Sequence, residues 1–231
     1  MTIKNYLMVI SGVVVSFYSF AQNKQIESTY SKKQTSNMEK MHWFNEPKEW
    51  VLENNKLSMF VTPKTDYWRI THYGFIVDDG PFFYQVVGGE FEAKVKITGD
   101  YKNRFDQMGL MLRIDEKTWI KTGIEFVNNR INISAVVTNE KSDWSVIETS
   151  TNPKSIWLKA IRKLDAVEIF YSLDNLTYTM IRLAYFPDNK PVMVGMTAAS
   201  PDGVGFNALF ENFEIKHVPD TRRLNWLEKN K

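Results

Sequence analysis

The chain has 231 residues, with 29 basic and 27 acidic side chains that leave a net charge of +2, and 14% of its residues are aromatic. Positive and negative charges are interspersed, which excludes the basic stripe of a nucleic-acid-binding protein. Because there is no cysteine, disulfides, thiolate metal sites, catalytic thiols and lipidated cysteines are excluded as well. Function must therefore rest on carboxylates, amides, hydroxyls and aromatic rings.

Residues 1–21 have the pattern of a secretory signal peptide. Lys4 supplies a positive charge, residues 7–20 are almost wholly apolar, and Ser19 and Ala21 are the small residues that a signal peptidase reads. The apolar run of about 14 residues is shorter than the roughly 20 needed to span a bilayer, although an uncleaved anchor is the alternative. We expect cleavage after Ala21, a secreted or periplasmic location, and no membrane association of the cleaved chain.

Residues 22–40 form a polar leader, too poor in apolar side chains to fold by itself. From Met41 onward, short runs of β-branched and aromatic residues alternate with turn clusters such as Asn54-Asn55. We predict one domain over residues 41–217, followed at 218–231 by a tail that forms a helical turn or frays.

About thirteen segments alternate apolar and polar residues in the manner of half-buried β-strands. In residues 90–98, Phe91, Ala93, Val95 and Ile97 share one face, and charged side chains occupy the other. No segment shows a helical repeat, so the pattern predicts an all-β fold, an antiparallel β-sandwich of two sheets. The predicted strands are residues 57–61, 67–71, 82–87, 90–98, 107–114, 119–127, 130–138, 145–149, 156–163, 166–172, 178–185, 192–198 and 208–217.

The predicted strands 107–114, 119–127 and 130–138 agree in phase, so their non-core side chains should share one sheet face. Gly109 and Gly123 lie on that face, where a missing side chain often marks close approach of a ligand or another backbone. The other polar and aromatic residues of the face are Gln107, Arg113, Trp119, Lys121, Glu125, Asn132 and Ser134.

An aromatic ring among amides and charged groups suits a carbohydrate. Sugars stack apolar C–H patches on indole rings, and their hydroxyls exchange hydrogen bonds with carboxylates, amides and cations. Trp119, with Lys121 and Glu125 nearby, supplies these groups; the alternative is a solvated face whose charges pair with one another. We predict that an open sheet face binds carbohydrate or polysaccharide. A glycoside-active enzyme and a protein-interaction or structural module are the alternative functions.

Three segments, DQMGLMLR at 106–113, WIKTGIE at 119–125 and SDWS at 142–145, resemble the DUF1349 family, which includes a yeast protein described as a regulator of enolase. WFNEP at 43–47 and TDYWR at 65–69 match the same pattern. The resemblance covers about residues 41–216. It implies a jelly roll of the concanavalin A-like lectin/glucanase type, and it implies the fold rather than a function.

The resemblance also assigns recurring polar and aromatic residues: Asp66, Trp68, Asp106, Gln107, Trp119, Lys121, Glu125, Asp143 and Trp144. Asp106 has the phase of the core, so we expect it to cap a backbone amide or to pair with Arg113 or Lys121. His72 lies next to the TDYWR motif and could line the groove. The predicted ligand-binding set is Trp68, His72, Gln107, Arg113, Trp119, Lys121, Glu125, Asn132, Asp143 and Trp144.

Glu125 is the candidate catalytic carboxylate, and Asp106 or Glu148 could supply the second carboxyl group that glycoside hydrolysis requires. The Glu-x-Asp-x-x-Glu spacing of laminarinases and lichenases is absent from the chain. We expect a nearby Lys121 to keep Glu125 ionised and therefore unsuited to be an acid. No catalytic residue is assigned.

Metal and cofactor sites have little support in the sequence. Its three histidines, His42, His72 and His217, lack metal-binding spacing. Asp78-Asp79-Gly80 could supply oxygen ligands to a structural Ca²⁺, although it reads first as a hairpin turn. We expect no cofactor, and the pattern leaves the oligomeric state open.

Overall fold

A computed structural model describes residues 38–219 and 221–230. The predicted signal peptide and most of the predicted leader lie outside these residues. A short 3-10 turn, Met38–Lys40, opens the described part, and helix α1, Thr221–Lys229, follows the last strand. The strands are β1 (His42–Phe44), β2 (Trp50–Glu53), β3 (Lys56–Phe60), β4 (Tyr67–Arg69), β5 (Ile76–Asp78), β6 (Phe82–Val87), β7 (Phe91–Gly99), β8 (Gln107–Arg113), β9 (Thr118–Val127), β10 (Arg130–Asn139), β11 (Lys141–Glu148), β12 (Ser155–Lys163), β13 (Ala166–Ser172), β14 (Thr179–Tyr185), β15 (Val192–Ala199) and β16 (Asn207–His217).

Two seven-stranded antiparallel sheets form the body of the fold, which confirms the predicted β-sandwich. The front sheet has the order β1-β6-β15-β8-β9-β10-β11, and the back sheet has the order β14-β13-β12-β7-β16-β3-β2. Strands β4 and β5 form a separate antiparallel pair. Among the described residues, no helix is long and apolar enough to cross a lipid bilayer.

The core lies between the two sheets, where the alternation placed it. Phe91, Ala93, Val95 and Ile97 of β7 are almost fully buried, and they pack in one cluster with apolar side chains of the front sheet. Burial of this apolar surface is the main stabilising contribution to such a fold. Met38 joins the same cluster, so the end of the polar leader packs against the domain.

The strand prediction differs from the structure mainly in short elements. Strands β1, β2 and β5 have only three or four residues, too few to show an alternation in the sequence. Strand β11 begins at Lys141 rather than at Ser145. As a result, Asp143 and Trp144 lie within an edge strand of the front sheet, whereas the predicted strand begins just after them.

A segment of residues 62–81, here called the strap, crosses the outer face of the front sheet and contains β4 and β5. Lys64 N donates to Ser200 O at one end of the strap, and Thr197 Oγ1 donates to Pro81 O at the other. Arg69 N in the middle donates to Ser142 Oγ of β11. The strap therefore bridges several strands of the front sheet.

Candidate functional site

The predicted polar face is in the expected place, but it is not open. Register pairs Lys121 of β9 with Met111 of β8 and Val136 of β10, and pairs Glu125 with Gln107 and Asn132. The strap covers much of this face and leaves Lys121 only 7% exposed. Alternation identifies the side of a strand that faces away from the core, but it carries no information about a distant segment that covers that side.

Trp119 is part of a second apolar core beneath the strap, so its predicted role as a sugar-stacking platform is wrong. It is 1% exposed, and the Tyr67 ring meets it edge-on with centroids 6.1 Å apart. Trp68 belongs to the same cluster, and its indole N–H donates to Thr71 O. These rings hold the strap on the sheet.

Arg113 is also occupied by the strap. Its guanidinium donates to both carboxylate oxygens of Asp78 at 2.6 Å and lies 4.8 Å from the Phe44 ring centroid. Asp79 Oδ1 accepts the N–H of Asp66. Both carboxylates of the possible Ca²⁺ loop thus have partners within the protein, and the described residues contain no group of three or more acidic or histidine side chains that could hold a metal ion.

The covered face has almost no free space. A cavity of about 10 Å³ lies between the strap and the glycine pair, room for about one water molecule. Gly109 and Gly123 face each other across β8 and β9, and a Cβ on either would come within 2.0 Å of a carbonyl oxygen of the other strand. These glycines mark close approach of another backbone, so a sugar has no access beneath the strap.

Lys121 ends at the edge of the strap, where its ammonium is saturated by protein acceptors. Nζ donates to Tyr67 O at 2.9 Å, to Gln107 Oε1 and, at 3.4 Å, to Asp66 Oδ1. The Gln107 amide donates in turn to Asp66 Oδ1. Lysine has three donors, and all three are used here.

Glu125 adjoins this network but is not satisfied by it. It is 7% exposed, and Oε2 has no hydrogen-bond donor among the residues that the structure describes. Burial raises the pKa of Glu125, and the charge of Asp66 raises it further. The positive charge of Lys121 and hydrogen bonds with the Trp144 and Ser134 side chains lower it. Lys121 thus favours the ionised form of this carboxyl, as expected, but burial outweighs that effect, and the ammonium itself is turned towards other acceptors.

Two aromatic side chains, Trp144 and Phe105, lie next to Glu125 at the edge of the front sheet. Trp144 shares a face of β11 with the polar residues of β10, and it is 38% exposed. The Phe105 ring meets it edge-on at 6.5 Å, and Arg104 lies over Phe105. We call the group the Glu125 site; its members are Asp66, Gln107, Lys121, Glu125, Ser134 and Trp144.

The remaining predicted ligand residues lie elsewhere. Asn132 is buried, and its amide donates to Arg130 O at the start of the same strand, β10. Asp143 alternates with Trp144 on β11 and pairs with Arg182 of the back sheet. His72 is exposed at the tip of the strap with a left-handed backbone, and its ring packs on Tyr73.

The second carboxylate of the site is Asp66, not Asp106 or Glu148. Asp106 Oδ2 accepts the amides of Lys102 and Asn103, which confirms its predicted role as a backbone cap. Glu148 is exposed and forms an ion pair with Arg130. Asp66 recurs in the family pattern, but no local signal in the sequence places it beside Lys121, about 55 positions further along the chain.

A larger concavity lies on the back sheet. An open groove of about 600 Å³ is lined by residues of β2, β3, β7 and β16, among them Trp50, Phe60 and Leu209. Its volume falls in the range of ligand pockets. Trp50 donates to Glu46 within the same region, so its polar edge has a partner in the protein.

Two curated proteins match the sequence over much of its length. Regulation of enolase protein 1 of Saccharomyces cerevisiae is 36% identical over 173 residues, which cover 75% of this chain and 87% of that protein. Uncharacterized protein AN7484 of Emericella nidulans is 25% identical over 121 residues, which cover 49% of this chain and 60% of that protein.

Solved structures show the same architecture. A functionally unknown protein from Saccharomyces cerevisiae superposes with a TM-score of 0.77 and 34% identity, over 79% of this chain and 99% of that chain. The GH43 protein BlXynB of Bacillus licheniformis superposes with a TM-score of 0.58 and 16% identity, over 75% of this chain. Xylan beta-1,4-xylosidase of Bacillus halodurans gives a TM-score of 0.59 with 14% identity, over 74% of this chain.

The two bacterial proteins share only a fold with this one, since the match covers 36% and 35% of their chains at low identity. The family evidence is broader. DUF1349, described as a protein of unknown function, matches residues 43–218, in agreement with the resemblance of the motifs. The chain therefore belongs to the DUF1349 family.

Proposed function

We propose that this protein binds a carbohydrate at the Glu125 site. The observation that carries the proposal is the indole of Trp144, 38% exposed on the edge strand β11 and next to the carboxylates of Glu125 and Asp66. A buried acceptor without a partner costs about 1–3 kcal/mol. Native structures keep few such groups. Oε2 of Glu125 has almost no accessible surface, so the ligand contacts at this site fall to Trp144 and to the partly exposed Asp66 carboxylate.

Trp144 supplies the main feature of a sugar site. An indole on an edge strand offers a flat apolar surface on which a pyranose ring can stack, while adjacent carboxylates accept its hydroxyl hydrogens. One solved structure with the same fold is named a xylan beta-1,4-xylosidase, which agrees with a sugar ligand. The proposed ligand lies at the margin of the strap, not on the covered sheet face.

Isothermal titration of the full chain against neutral oligosaccharides tests this function. We expect Trp144→Ala to weaken binding about tenfold, since stacking and lost contact area together contribute about 1–2 kcal/mol. Trp157→Ala is the matched control, because Trp157 is a half-buried indole on the back sheet beside Lys94. If Trp144→Ala leaves binding unchanged, or if Trp50→Ala abolishes it, the ligand binds elsewhere on the protein.

The proposed location is outside the cytoplasm, on the basis of the signal-peptide pattern in residues 1–21. Mass spectrometry of the protein recovered from its native cells tests this. A mature chain that begins at Gln22 supports export, whereas a chain that retains residues 1–21 contradicts cleavage.

A glycoside-active enzyme is the second candidate, because the raised pKa of Glu125 suits a general acid. Asp66 lies close enough for its charge to raise that pKa, so two carboxyl groups with different environments lie near each other. We expect products from a polysaccharide substrate to be lost in both Glu125→Gln and Asp66→Asn. Turnover that survives either change would exclude this mechanism, and binding without products would leave the protein a binding module.

A further inference from the structure

We propose that the tip of the strap is a second contact for the sugar ligand, so that the protein binds a neutral polysaccharide chain rather than a single sugar residue. The strap tip comprises residues 70–76, the turn that leads from β4 into β5. The inference rests on the proposed function, because it extends the contact at Trp144 to a longer ligand. Its basis is the exposure, rigidity, position and lack of charge of the aromatic side chains at the tip.

The strap tip exposes large apolar side chains to solvent. Tyr73 is 50% exposed and Phe75 is 43% exposed, and Ile70 and Ile76 beside them are exposed as well. Tyr67, which lies only three residues before the tip, is by contrast almost fully buried. Clustered exposed apolar side chains are typical of surfaces that bind a ligand or a partner.

Hydrogen bonds and ring contacts hold the tip in one conformation. Ile70 N donates to Phe75 O and Gly74 N donates to Ile70 O, each at 2.7 Å, which closes the turn. The Tyr73 ring stacks on the Phe75 ring with centroids 5.6 Å apart, and the Trp68 ring meets Tyr73 edge-on at 5.7 Å. Rings that are fixed before binding lose little conformational entropy when a ligand stacks on them.

The backbone of the tip is strained. Ile70 and His72 both have a φ of 65°, in the left-handed region that is unfavourable for side chains with a Cβ, and most of all for a β-branched one. Backbone strain of this kind is concentrated at functional sites, where it positions binding groups. The tip thus combines two features that reduce stability, strain and exposed apolar surface, and a binding role accounts for both.

The tip and Trp144 lie along the same edge of the front sheet. Arg69, the residue before the tip, donates from its N–H to Ser142 Oγ and from Nε to Glu140 O, so the tip is fixed beside the start of β11. Trp144 is two positions after Ser142 and lies on the same face of that strand. A chain that follows this edge of the sheet can therefore contact Trp144 and Tyr73 in turn.

The chemistry of the tip suits a neutral, hydroxylated ligand. Positions 70–76 contain no lysine, arginine, aspartate or glutamate, so the tip offers no ionic partner to an acidic sugar or a phospholipid headgroup. The exposed side chains of Thr71, His72 and Tyr73 form no hydrogen bond within the described residues, and they are therefore available to sugar hydroxyls. The Tyr73 and Phe75 rings supply flat apolar surface for the C–H groups of a sugar.

Two measurements on the full chain test the inference. Native electrophoresis through gels that contain xylan, mixed-linkage β-glucan or galactomannan identifies a polymer that retards the protein, and calorimetric titration then compares the matching disaccharide and hexasaccharide. We expect the hexasaccharide to bind at least about tenfold more tightly, because it reaches both contacts. Tyr73→Ala should weaken hexasaccharide binding about tenfold and leave disaccharide binding unchanged.

Tyr185→Ala is the matched control. Tyr185 is also an exposed tyrosine, but it lies on β14 at an edge of the back sheet, so its truncation should leave both affinities unchanged. If Tyr73→Ala does not fold, Phe75→Ala takes its place, because it removes the other ring of the stacked pair. The same loss of affinity for the hexasaccharide alone is expected.

The outcomes separate the inference from the function on which it rests. Equal affinity for the two lengths, or a hexasaccharide affinity that Tyr73→Ala leaves unchanged, overturns the inference and leaves binding at Trp144 intact. A disaccharide affinity that falls in Tyr73→Ala but not in Trp144→Ala overturns the proposed location and the two-contact arrangement. No retardation by any of the polymers overturns both proposals. Retention on phosphatidylcholine vesicles that Tyr73→Ala abolishes would assign the tip to a lipid surface instead.

Discussion

Glu125 is a buried acid, and none of the described residues donates a hydrogen bond to its Oε2 atom. This arrangement reduces the stability of the folded protein. Its pKa is raised in the folded protein, chiefly by burial. The folded state therefore binds this proton more tightly than the unfolded state does. The stability that Glu125 contributes is complete below the unfolded pKa and is lost as the pH rises through the folded pKa.

We expect Glu125→Gln to raise the free energy of unfolding by about 1 kcal/mol at pH 7, or about 2–4 °C in Tm, because no charge then has to be buried. The gain should vanish near pH 4, where the wild-type carboxyl is protonated. Urea unfolding at the two pH values measures this difference. A gain that is the same at both pH values would contradict the proposed origin.

The two tryptophans of the predicted site should respond differently to truncation. Trp119 lies in the apolar cluster under the strap, so Trp119→Ala should cost about 3–5 kcal/mol of unfolding free energy. Trp144 is partly exposed on an edge strand, and Trp144→Ala should cost about 1 kcal/mol or less. Chemical denaturation of both variants checks this contrast, and a Trp119→Ala protein of unchanged stability would refute the burial argument.

At the scale of elements, the strap determines which polar residues remain accessible. The Arg113–Asp78 pair attaches it to β8, and Tyr67 attaches its first half through Trp119 and through a hydrogen bond to Gly80 O. At its tip, Ile70 has a φ of 65°, which is unfavourable for a β-branched residue. The strap is therefore attached to the sheet on both sides of this strained tip, and next to it by the Arg69–Ser142 hydrogen bond.

Asp78→Asn should loosen the strap, because it leaves the Arg113 guanidinium buried without its carboxylate partner. Asp78 is 25% exposed, so we expect a loss of about 2–3 kcal/mol, below the full value for a buried pair. Acrylamide quenching of tryptophan fluorescence should increase as Trp119 becomes accessible. Asp143→Asn is the control, since its exposed ion pair with Arg182 contributes about 0–1 kcal/mol; equal losses in the two variants would contradict the role assigned to Asp78.

Helix α1 is attached to the sandwich through Glu90. The Glu90 carboxylate accepts the Thr221 N–H at 3.0 Å and the Thr221 hydroxyl at 2.7 Å, and it also accepts the Leu164 N–H. An acidic side chain at a helix N-terminus is favourable because it satisfies free amide donors.

Glu90→Ala should release α1 while leaving the sandwich folded. We expect limited proteolysis to cleave the chain between residues 217 and 230 at least several-fold faster, with little change in the Tm of the core. Glu92→Ala, two residues further along, is the matched control. Cleavage at the wild-type rate in Glu90→Ala would show that other contacts hold the helix.

At the scale of the whole molecule, the fold was predictable because strand alternation is a local property. Phe91 to Ile97 alternate with charged residues and form part of the core as predicted. The phase of β8, β9 and β10 was also correct, so Gln107, Lys121 and Glu125 share one face. The accessibility of that face was not predictable, because it depends on a segment about 40 to 60 positions earlier in the chain.

The sequence by itself determined the all-β sandwich, the inward faces of its main strands and membership of the DUF1349 family. Apolar side chains alternate with polar ones every two residues along the strands, and the family motifs are short, contiguous segments of the chain. Only the tertiary structure decided that Trp119 and Arg113 serve the strap, that Asp66 joins Lys121, and that Glu125 remains unsatisfied beside Trp144. The physical reason is that burial and hydrogen-bond satisfaction depend on contacts between segments distant in sequence, which no local pattern encodes.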